Sequence, residues 1–523
     1  MMMELTGAQL NFNRSLFDWC LRNAERTHAI GHKIQSARWC QLAGKLAGFG
    51  CGMLVSHELE ALLLKLAADI KTTMPWQPSQ AGTRRWLHVM TRTDSIGGHN
   101  ALLKRWIHAN PLGERHSIAV LEYLDPEETE LHAAVRQTGG EFFSLVEYAD
   151  TPLECARNLR ELAHAQADVI VLHHHMWDVI PTIAFGVADC PPVLLLNMAD
   201  HLFWVGAAIS DMVLQIRPEG TELTREFRGV DRSHLLNIPL PEKPTADATA
   251  VDVRKTLGIP EDACVYLTLG RESKYEPREG IDFLATAGKI IDTVPGAYLI
   301  AIGPSRNNPA WDRAFRESEG RIVAVGSQRA LQGYFAAADI YLEGFPFGSL
   351  TALLEAGLAG LPCVRAPDFL PPIYRSNGPA IDHIQPPVST DGYVEQARLL
   401  ALRPPVERKQ IGCELSGKVE KYHCAGWSEG LKRLPIPAAH KLHPSTAATT
   451  ALPLDDAKLL RWSEGDAMSY AAWYARRYAM NVKMDPPLLL ACLRGLPSLD
   501  RTLALFRSIF FPPTVQPVIK GIT

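Results

Sequence analysis

The chain has 523 residues, 47% of them apolar and 21% charged, with a formal net charge of −4. That length exceeds what one hydrophobic core supports and predicts about two to four domains, while the slightly acidic balance excludes a whole-chain nucleic-acid footprint. No apolar run reaches membrane-spanning length, the start lacks a charged-then-apolar leader pattern, and the ten scattered cysteines contain no C-x-x-C pair, so a reducing, cytoplasmic protein without a zinc site or disulfide framework is expected.

Residues 1–75 read as a helical N-terminal domain. Phe17, Cys20 and Leu21 recur at helical spacing, as do Leu59, Leu62, Leu63 and Leu66, and strand signals are absent. Trp19-Cys20 and Trp39-Cys40 repeat a dipeptide that fits a helical core. This bundle is expected to serve docking, with homo-oligomerisation through its helices as one use, rather than chemistry. Thr72 to Gly82, with Pro75 and Pro78, reads as a linker.

Over 84–240 strands alternate with amphipathic segments, at Trp86 to Met90, Ser117 to Leu121, Val169 to Leu172, Val193 to Leu196 and Met212 to Ile216. A second series over 245–403 follows the proline-rich Ile238 to Pro244. Its strands are Cys264 to Leu269, Tyr298 to Ile302, Ile322 to Val325, Ile340 to Leu342 and Cys363 to Val364, with helices at Arg278 to Asp292, Trp311 to Ser318 and Ala330 to Ala337. Alternation of this kind predicts an α/β fold of two tandem Rossmann-like domains, whose ligands sit beyond the carboxyl ends of the strands and in a cleft between the domains. Residues 404–523 read as a helical C-terminal extension, aromatic-rich from Trp462 to Met480.

Ile340 to Val364 is read as strand, Gly/Pro-punctuated turn, small-residue helix and strand. Gly348 frees the backbone for close approach, and Ser349, Leu350 and Thr351 open a helix whose dipole favours an anion. Thr351 and Glu355 share one helix face. Three further strand ends carry Gly with a cation nearby: Gly270-Arg271-Glu272-Ser273-Lys274, Gly303-Pro304-Ser305-Arg306 and Gly326-Ser327-Gln328-Arg329. Together they favour a diphosphate-bearing ligand. In the first domain His99, after Gly97-Gly98, is a candidate general base facing the cleft, and Asn197 to Trp204 supplies Asp200 and His201, with Asp211 beyond it. His173-His174-His175 has poor metal spacing, because adjacent strand residues face opposite ways, and no metal is expected.

LGRESK (Leu269 to Lys274), AYLIAIGP (Ala297 to Pro304), IVAVGSQ (Ile322 to Gln328) and AADIYLEGFPFGSLTALLEAGLAGLPCV (Ala337 to Val364) resemble the donor-binding half of a GT-B glycosyltransferase. The last stretch is similar to the group of protein O-GlcNAc transferase and the bacterial adhesin glycosyltransferases. It also has some likeness to the retaining E-x7-E enzymes, although eleven residues separate Glu343 from Glu355. The N-terminal helices lack tetratricopeptide consensus residues.

The resemblance implies sugar transfer from a nucleotide diphosphate donor, UDP-N-acetylhexosamine as first choice, to a hydroxyl of a protein or glycan. No cofactor beyond that co-substrate, no metal, no nucleic acid and no membrane span are implied. Arg271, Lys274 and the Ser349/Thr351 helix start would stabilise the leaving diphosphate; Glu355 would hold the ribose, and Gly303 and Gly348 would let the backbone approach. Gly326, Ser327 and Gln328 would read the base, His99 would act as base or acceptor-orienting group, and His201 would touch the donor sugar. A UDP-sugar 2-epimerase of the same fold and a non-catalytic nucleotide-sugar-binding scaffold are the alternatives.

Overall fold

The computed structural model describes residues 3–4, 7–48, 51–79, 82–93, 98–110, 113–146, 149–241, 253–278, 280–370, 375–445 and 462–463. The expected C-terminal helices beyond 463 and the Asp94 to Gly97 part of the first loop lie outside them. Two compact units are present: residues 1–216 with 220–235 and the chain from Leu434 on, and residues 217–219 with 236–433.

In the first unit Met3–Glu4 and Trp462–Ser463 pair as a two-residue antiparallel ladder where helix was expected, and the main strands are β1 (Arg85–Arg92), β2 (Arg115–Tyr123), β3 (Phe142–Ser144), β4 (Val169–Leu172), β5 (Val193–Asn197), β6 (Met212–Gln215) and β7 (Ser233–Leu235). They form one sheet in the order β3-β2-β1-β4-β5-β6-β7 with every pairing parallel. In the second unit β8 (Val265–Leu269), β9 (Tyr298–Ile302), β10 (Ile322–Ala324), β11 (Ile340–Leu342) and β12 (Cys363–Val364) form a second parallel sheet, ordered β10-β9-β8-β11-β12. Parallel pairing needs crossover helices over both faces, so the strands are continuous apolar runs; β4, β5 and β6 are buried at every position. The expected fold class, tandem Rossmann-like domains with helical additions, is the one the chain adopts. Strand order reverses between β1 and β4 and between β8 and β11, the two switch points at which such sheets take ligands.

Phe142–Ser144 and Ser233–Leu235 were not legible as strands. Each is a three-residue sheet edge with none of its residues buried, too short to stand out as a strand from the sequence around it. The helix expected from Arg278 begins instead at Phe283. Asp282 caps it by accepting the Ala285 N–H at 3.0 Å, and Arg278 pairs with Ile281 in a short antiparallel bridge before it.

The N-terminal helices Gly7–Ala29, Lys33–Gly48 and His57–Ala68 share one hydrophobic core with the first sheet, joining Leu42, Leu46, Leu59 and Leu63 to Leu87, Ile170 and Phe185. Trp19 and Trp39 meet edge-to-face at 5.0 Å above buried Cys20 and Cys40. Ser56 starts the third helix by accepting the Leu59 N–H. Glu60, fully buried in that helix, accepts the backbone N–H groups of Gly206, Ala207 and Ala208 at 2.6, 3.0 and 3.1 Å. Burial raises its pKa despite these three donors. In the second unit the helices Thr390–Leu402, Pro405–Val419 and Ala425–Lys432 follow the last strand.

Candidate functional site

Three turns close over the carboxyl ends of β8, β9 and β10. The Gly270 N–H donates to the Ile302 carbonyl at 3.1 Å, the Gly303 N–H to Gly326 at 2.9 Å, and the Gly326 N–H back to Pro304 at 2.7 Å. A Cβ at Gly303, where φ is +106°, would stand 2.0 Å from the Gly270 carbonyl oxygen, so two strand exits touch there backbone to backbone. Gly326 is also left-handed, at φ +74°, but its nearest neighbour would be the Ser305 Cβ at 3.9 Å. Gly303→Ala is therefore expected to lower stability by clearly more than Gly326→Ala, which meets only the strain of a left-handed residue, about 1–2 kcal/mol. Paired urea-unfolding curves of the two variants check this ranking.

After β8 the chain makes a short 3-10 turn, Glu272–Tyr275. Tyr275 is buried, its hydroxyl 3.0 Å from Thr268 Oγ1, and its ring lies flush on Gly270 and Gly344, where added Cβ atoms would come within 3.1 and 2.4 Å. That anchor presents Lys274. Its Nζ donates to the Gly348 carbonyl at 3.2 Å and lies 5.4 Å from the Phe347 ring centroid, while the Phe347 N–H donates to the Lys274 carbonyl at 3.3 Å. Lys274 thus ties the exit of β8 to the exit of β11, across the switch point.

The turn after β11 leads into the helix Leu350–Leu358. Ser349 precedes it without a side-chain capping bond, and no acidic residue stands in the first turn, so the leading N–H groups meet no carboxylate of their own helix. Ser349, Leu350, Thr351 and Glu355 are half-buried. Glu343, at the end of β11, is fully buried and accepts from Ser376 Oγ and, at 2.8 Å, from the Ala366 N–H. Burial raises its pKa, and Arg365 and Lys274 pull the other way. Its oxygens face the protein, which makes it a structural group.

The other rim residues divide. The Arg271 side chain is exposed and has no hydrogen-bond or ion-pair partner among the described residues. Arg306 turns aside, bonded to Asp312 at 3.0 Å and stacked on Phe315 at 3.7 Å. Glu272 accepts from Asn308 at 2.7 Å, Ser327 is exposed, and Gln328 donates to the Val325 carbonyl at 2.8 Å. One cation anchored beside an uncapped helix start, with a second cation free at the edge, is an arrangement suited to anionic oxygens.

At the rim of the first sheet, His99 is half-buried in the first turn of the helix Gly98–Ala109. Its ring stacks on His175, centroids 5.7 Å apart. His201 is half-buried, 3.7 Å from the Asp200 carboxylate. Asp211 corrects an expectation: it precedes β6, on the amino side of the sheet. There it accepts the Val193 and Lys441 N–H groups at 2.7 Å each and pairs with His440 at 2.7 Å, a clasp for the returning chain. Among the described residues no group of three or more His, Cys, Asp or Glu is placed to hold a metal ion, and no helix is long and apolar enough to cross a membrane.

No protein-family model and no curated protein sequence matches the chain. Solved structures do. They include an O-GlcNAc transferase of Thermobaculum terrenum, at 16% identity over 76% of each chain with a TM-score of 0.48. HepE of Anabaena, in complex with UDP and glucose, is 14% identical over 66% of this chain and 98% of that one, with a TM-score of 0.49. TarM of S. aureus, at 8% identity and the same coverage, has a TM-score of 0.48. At these values the fold stands on its own strand order and the chemistry on its own residues.

Sequence reasoning missed a buried chain of imidazoles in the first sheet. His88 on β1 places Nδ1 2.9 Å from His173 Nε2 and Nε2 2.9 Å from His116 Nδ1. All three are walled by Trp86 and Trp106. His88 and His116 stand alone in apolar strands with nothing in their spacing to link them to each other or to His173.

Proposed function

We propose that the protein transfers a sugar from a nucleotide diphosphate donor, UDP-N-acetylhexosamine as first choice, to a hydroxyl of a protein or glycan acceptor, without a metal. The observation that carries this reading is Lys274, held across the second switch point against the turn that opens the helix Leu350–Leu358. The choice of sugar and nucleotide rests on the sequence resemblance.

In the transfer, the acceptor oxygen bonds to the anomeric carbon and the carbon–oxygen bond to the diphosphate breaks, its electron pair leaving with the nucleotide. Charge grows on the leaving oxygens, where Lys274, Arg271 and the Ser349–Thr351 helix start supply fixed positive potential. The hydroxyl proton passes to His99. Glu355 holds the ribose hydroxyls, the Gly326-Ser327-Gln328 turn reads the base, Gly303 lets the first two strand exits close together beneath the ligand, Gly348 lets the backbone approach it, and His201 contacts the donor sugar.

UDP in excess is expected to raise the melting temperature, since a ligand at a hundred times its Kd contributes about 2.7 kcal/mol to the native state. The same rise is expected in the presence of a chelator. A thermal-shift series with UDP, GDP and their sugars, with and without EDTA, makes the measurement. A protein indifferent to every nucleotide sinks the proposal, and a shift seen only with added Mg²⁺ or Mn²⁺ sinks its metal-free part. Conversion of the donor alone into a rearranged sugar supports the epimerase instead, and binding without turnover supports the scaffold.

A further inference from the structure

We propose that the N-terminal helices are part of the catalytic rim, with Lys45 as a positioning residue that fixes His99 through a column of stacked rings, Trp177 and His175. The role assigned to His99 rests on the proposed transfer; the column itself does not.

The helix Lys33–Gly48 meets Trp177 with a face built for it. Gly44 and Gly48 lie one turn apart, and Cβ atoms there would stand 2.6 Å from the Trp177 carbonyl oxygen and 3.3 Å from its Cδ1. Between them Lys45 sends its ammonium over the indole, 4.1 Å from the ring centroid, and donates to Glu122 at 3.1 Å. Trp177 is parallel to His175, with centroids 5.2 Å apart and planes 2° from each other, and His175 stacks in turn on His99. The segment carrying both rings is pinned to β1 on its other side: the His175 N–H donates to Thr91 Oγ1 at 2.9 Å, and Thr91 donates to Asp178 at 2.7 Å.

Packing alone does not account for the lysine. Its side chain is 3% exposed, and burial disfavours the ammonium. A methionine would fill the same slot without that desolvation. What the charge adds is direction, because a cation over an indole face fixes the plane of the ring, and with it the two imidazoles stacked beyond. It also adds a field. The charged and titratable groups facing His175 are His99, Arg92, His174 and Lys45; after burial, the two standing cations among them, Arg92 and Lys45, help to hold its imidazole neutral. Glu122 and Asp178 face Lys45.

Lys45→Met is the test, with Lys45→Gln as a second variant should the first fail to fold. Transfer is expected to fall about 10- to 100-fold, the penalty typical of a misplaced catalytic group. The Kd for UDP stays at the wild-type value, and the acidic limb of the kcat profile moves to higher pH as His175 loses a cationic neighbour. A purely structural lysine would lower the melting temperature without moving that limb. The side-chain NMR signals of His99 and His175 are followed in parallel and are expected to shift and broaden. If wild-type protein transfers sugar and the variants match it in rate and pH profile, the column is overturned while the transfer reading stands. If no sugar is transferred by any form, the NMR signals decide: unchanged His99 and His175 resonances in the variants overturn the column on its own terms.

Discussion

Lys274→Ala is expected to cut sugar transfer by about 10²–10³-fold, the loss seen when one preorganised donor to a developing oxyanion is removed. The ammonium sits at the one place in the second sheet where strand order reverses, already hydrogen-bonded to the turn that starts the helix Leu350–Leu358. It therefore needs no reorganisation when diphosphate charge develops. Its contribution grows as the bond breaks, so kcat falls more than donor affinity. The fold is expected to survive, because Tyr275 and not Lys274 anchors the turn, through Thr268 and the Gly270 and Gly344 backbones. A secondary effect falls on Glu343, which loses one of the cations offsetting its burial and becomes still easier to protonate. Lys274→Arg keeps a charge but exchanges a compact ammonium for a wider planar fork, and partial activity is expected from it. Steady-state kinetics with UDP binding by calorimetry separate the two effects. Transfer by Lys274→Ala at the wild-type rate would remove the leaving-group argument.

Apolar runs bounded by polar, proline or glycine residues made the fold readable. Val169–Leu172, Tyr298–Ile302, Ile340–Leu342 and Cys363–Val364 end where the sequence says they end, because a parallel strand buried on both faces has to be apolar throughout. The two edge strands of the first sheet, Phe142–Ser144 and Ser233–Leu235, escaped for the converse reason: each is three residues long and none of them is buried. At the rim, the adjacency of Gly270, Gly303 and Gly326 follows from one sheet carrying all three strands, and strand-end glycines advertise it. What they do not advertise is which charged groups remain available. Arg306 resembles Arg271 in the sequence, yet it is spent on Asp312 and Phe315, partners that only helix geometry brings to it. The glycines also mean something different from ligand approach at two positions, since Gly303 and Gly344 are required by a neighbouring carbonyl and a tyrosine ring. The Lys45 column and the imidazole chain join residues far apart in the sequence, and no local spacing encodes such contacts.

The first unit is expected to lose stability steeply as pH falls from about 6.5, and the second unit much less. In the first unit His88, His116, His173, His174 and His175 are all held below the usual histidine range, burial being the largest cause for each, with His116 and His174 at about 4 and His173 at about 3. The geometry of the chain explains why a proton is unwelcome. His88 already uses both ring nitrogens against neighbouring nitrogens, and His116 Nε2 and His173 Nδ1 are buried without a partner. The unfolded chain binds protons at its histidines below about pH 6.5 and the native state does not. Each such group therefore removes about 1.4 kcal/mol of stability per pH unit, from pH 6.5 down to its folded pKa. Asp178, pushed up to about 6 by burial, and Glu60, also raised by burial, act with the opposite sign, because the fold keeps their protons where the unfolded chain releases them. These five histidines outnumber the carboxyls of the unit that burial raises, Asp18, Asp178 and Glu60, so the net effect of acid below pH 6.5 is a loss of stability. In the second unit His423, lowered to about 4 by burial, acts in the same direction as the first unit's histidines, and Glu343, raised by burial, acts against it. Urea unfolding across pH 7.5 to 4.5 is read by tryptophan fluorescence, to which Trp86, stacked on His116 at 6.0 Å, contributes from the first unit and Trp311 and Trp427 from the second. His116→Phe keeps that stacking surface and removes one titrating ring, so its slope is expected to be shallower by about 1.4 kcal/mol per pH unit. A flat profile in the wild-type protein, or equal slopes in the two, would mean that these imidazoles are already reached by protons in the folded state.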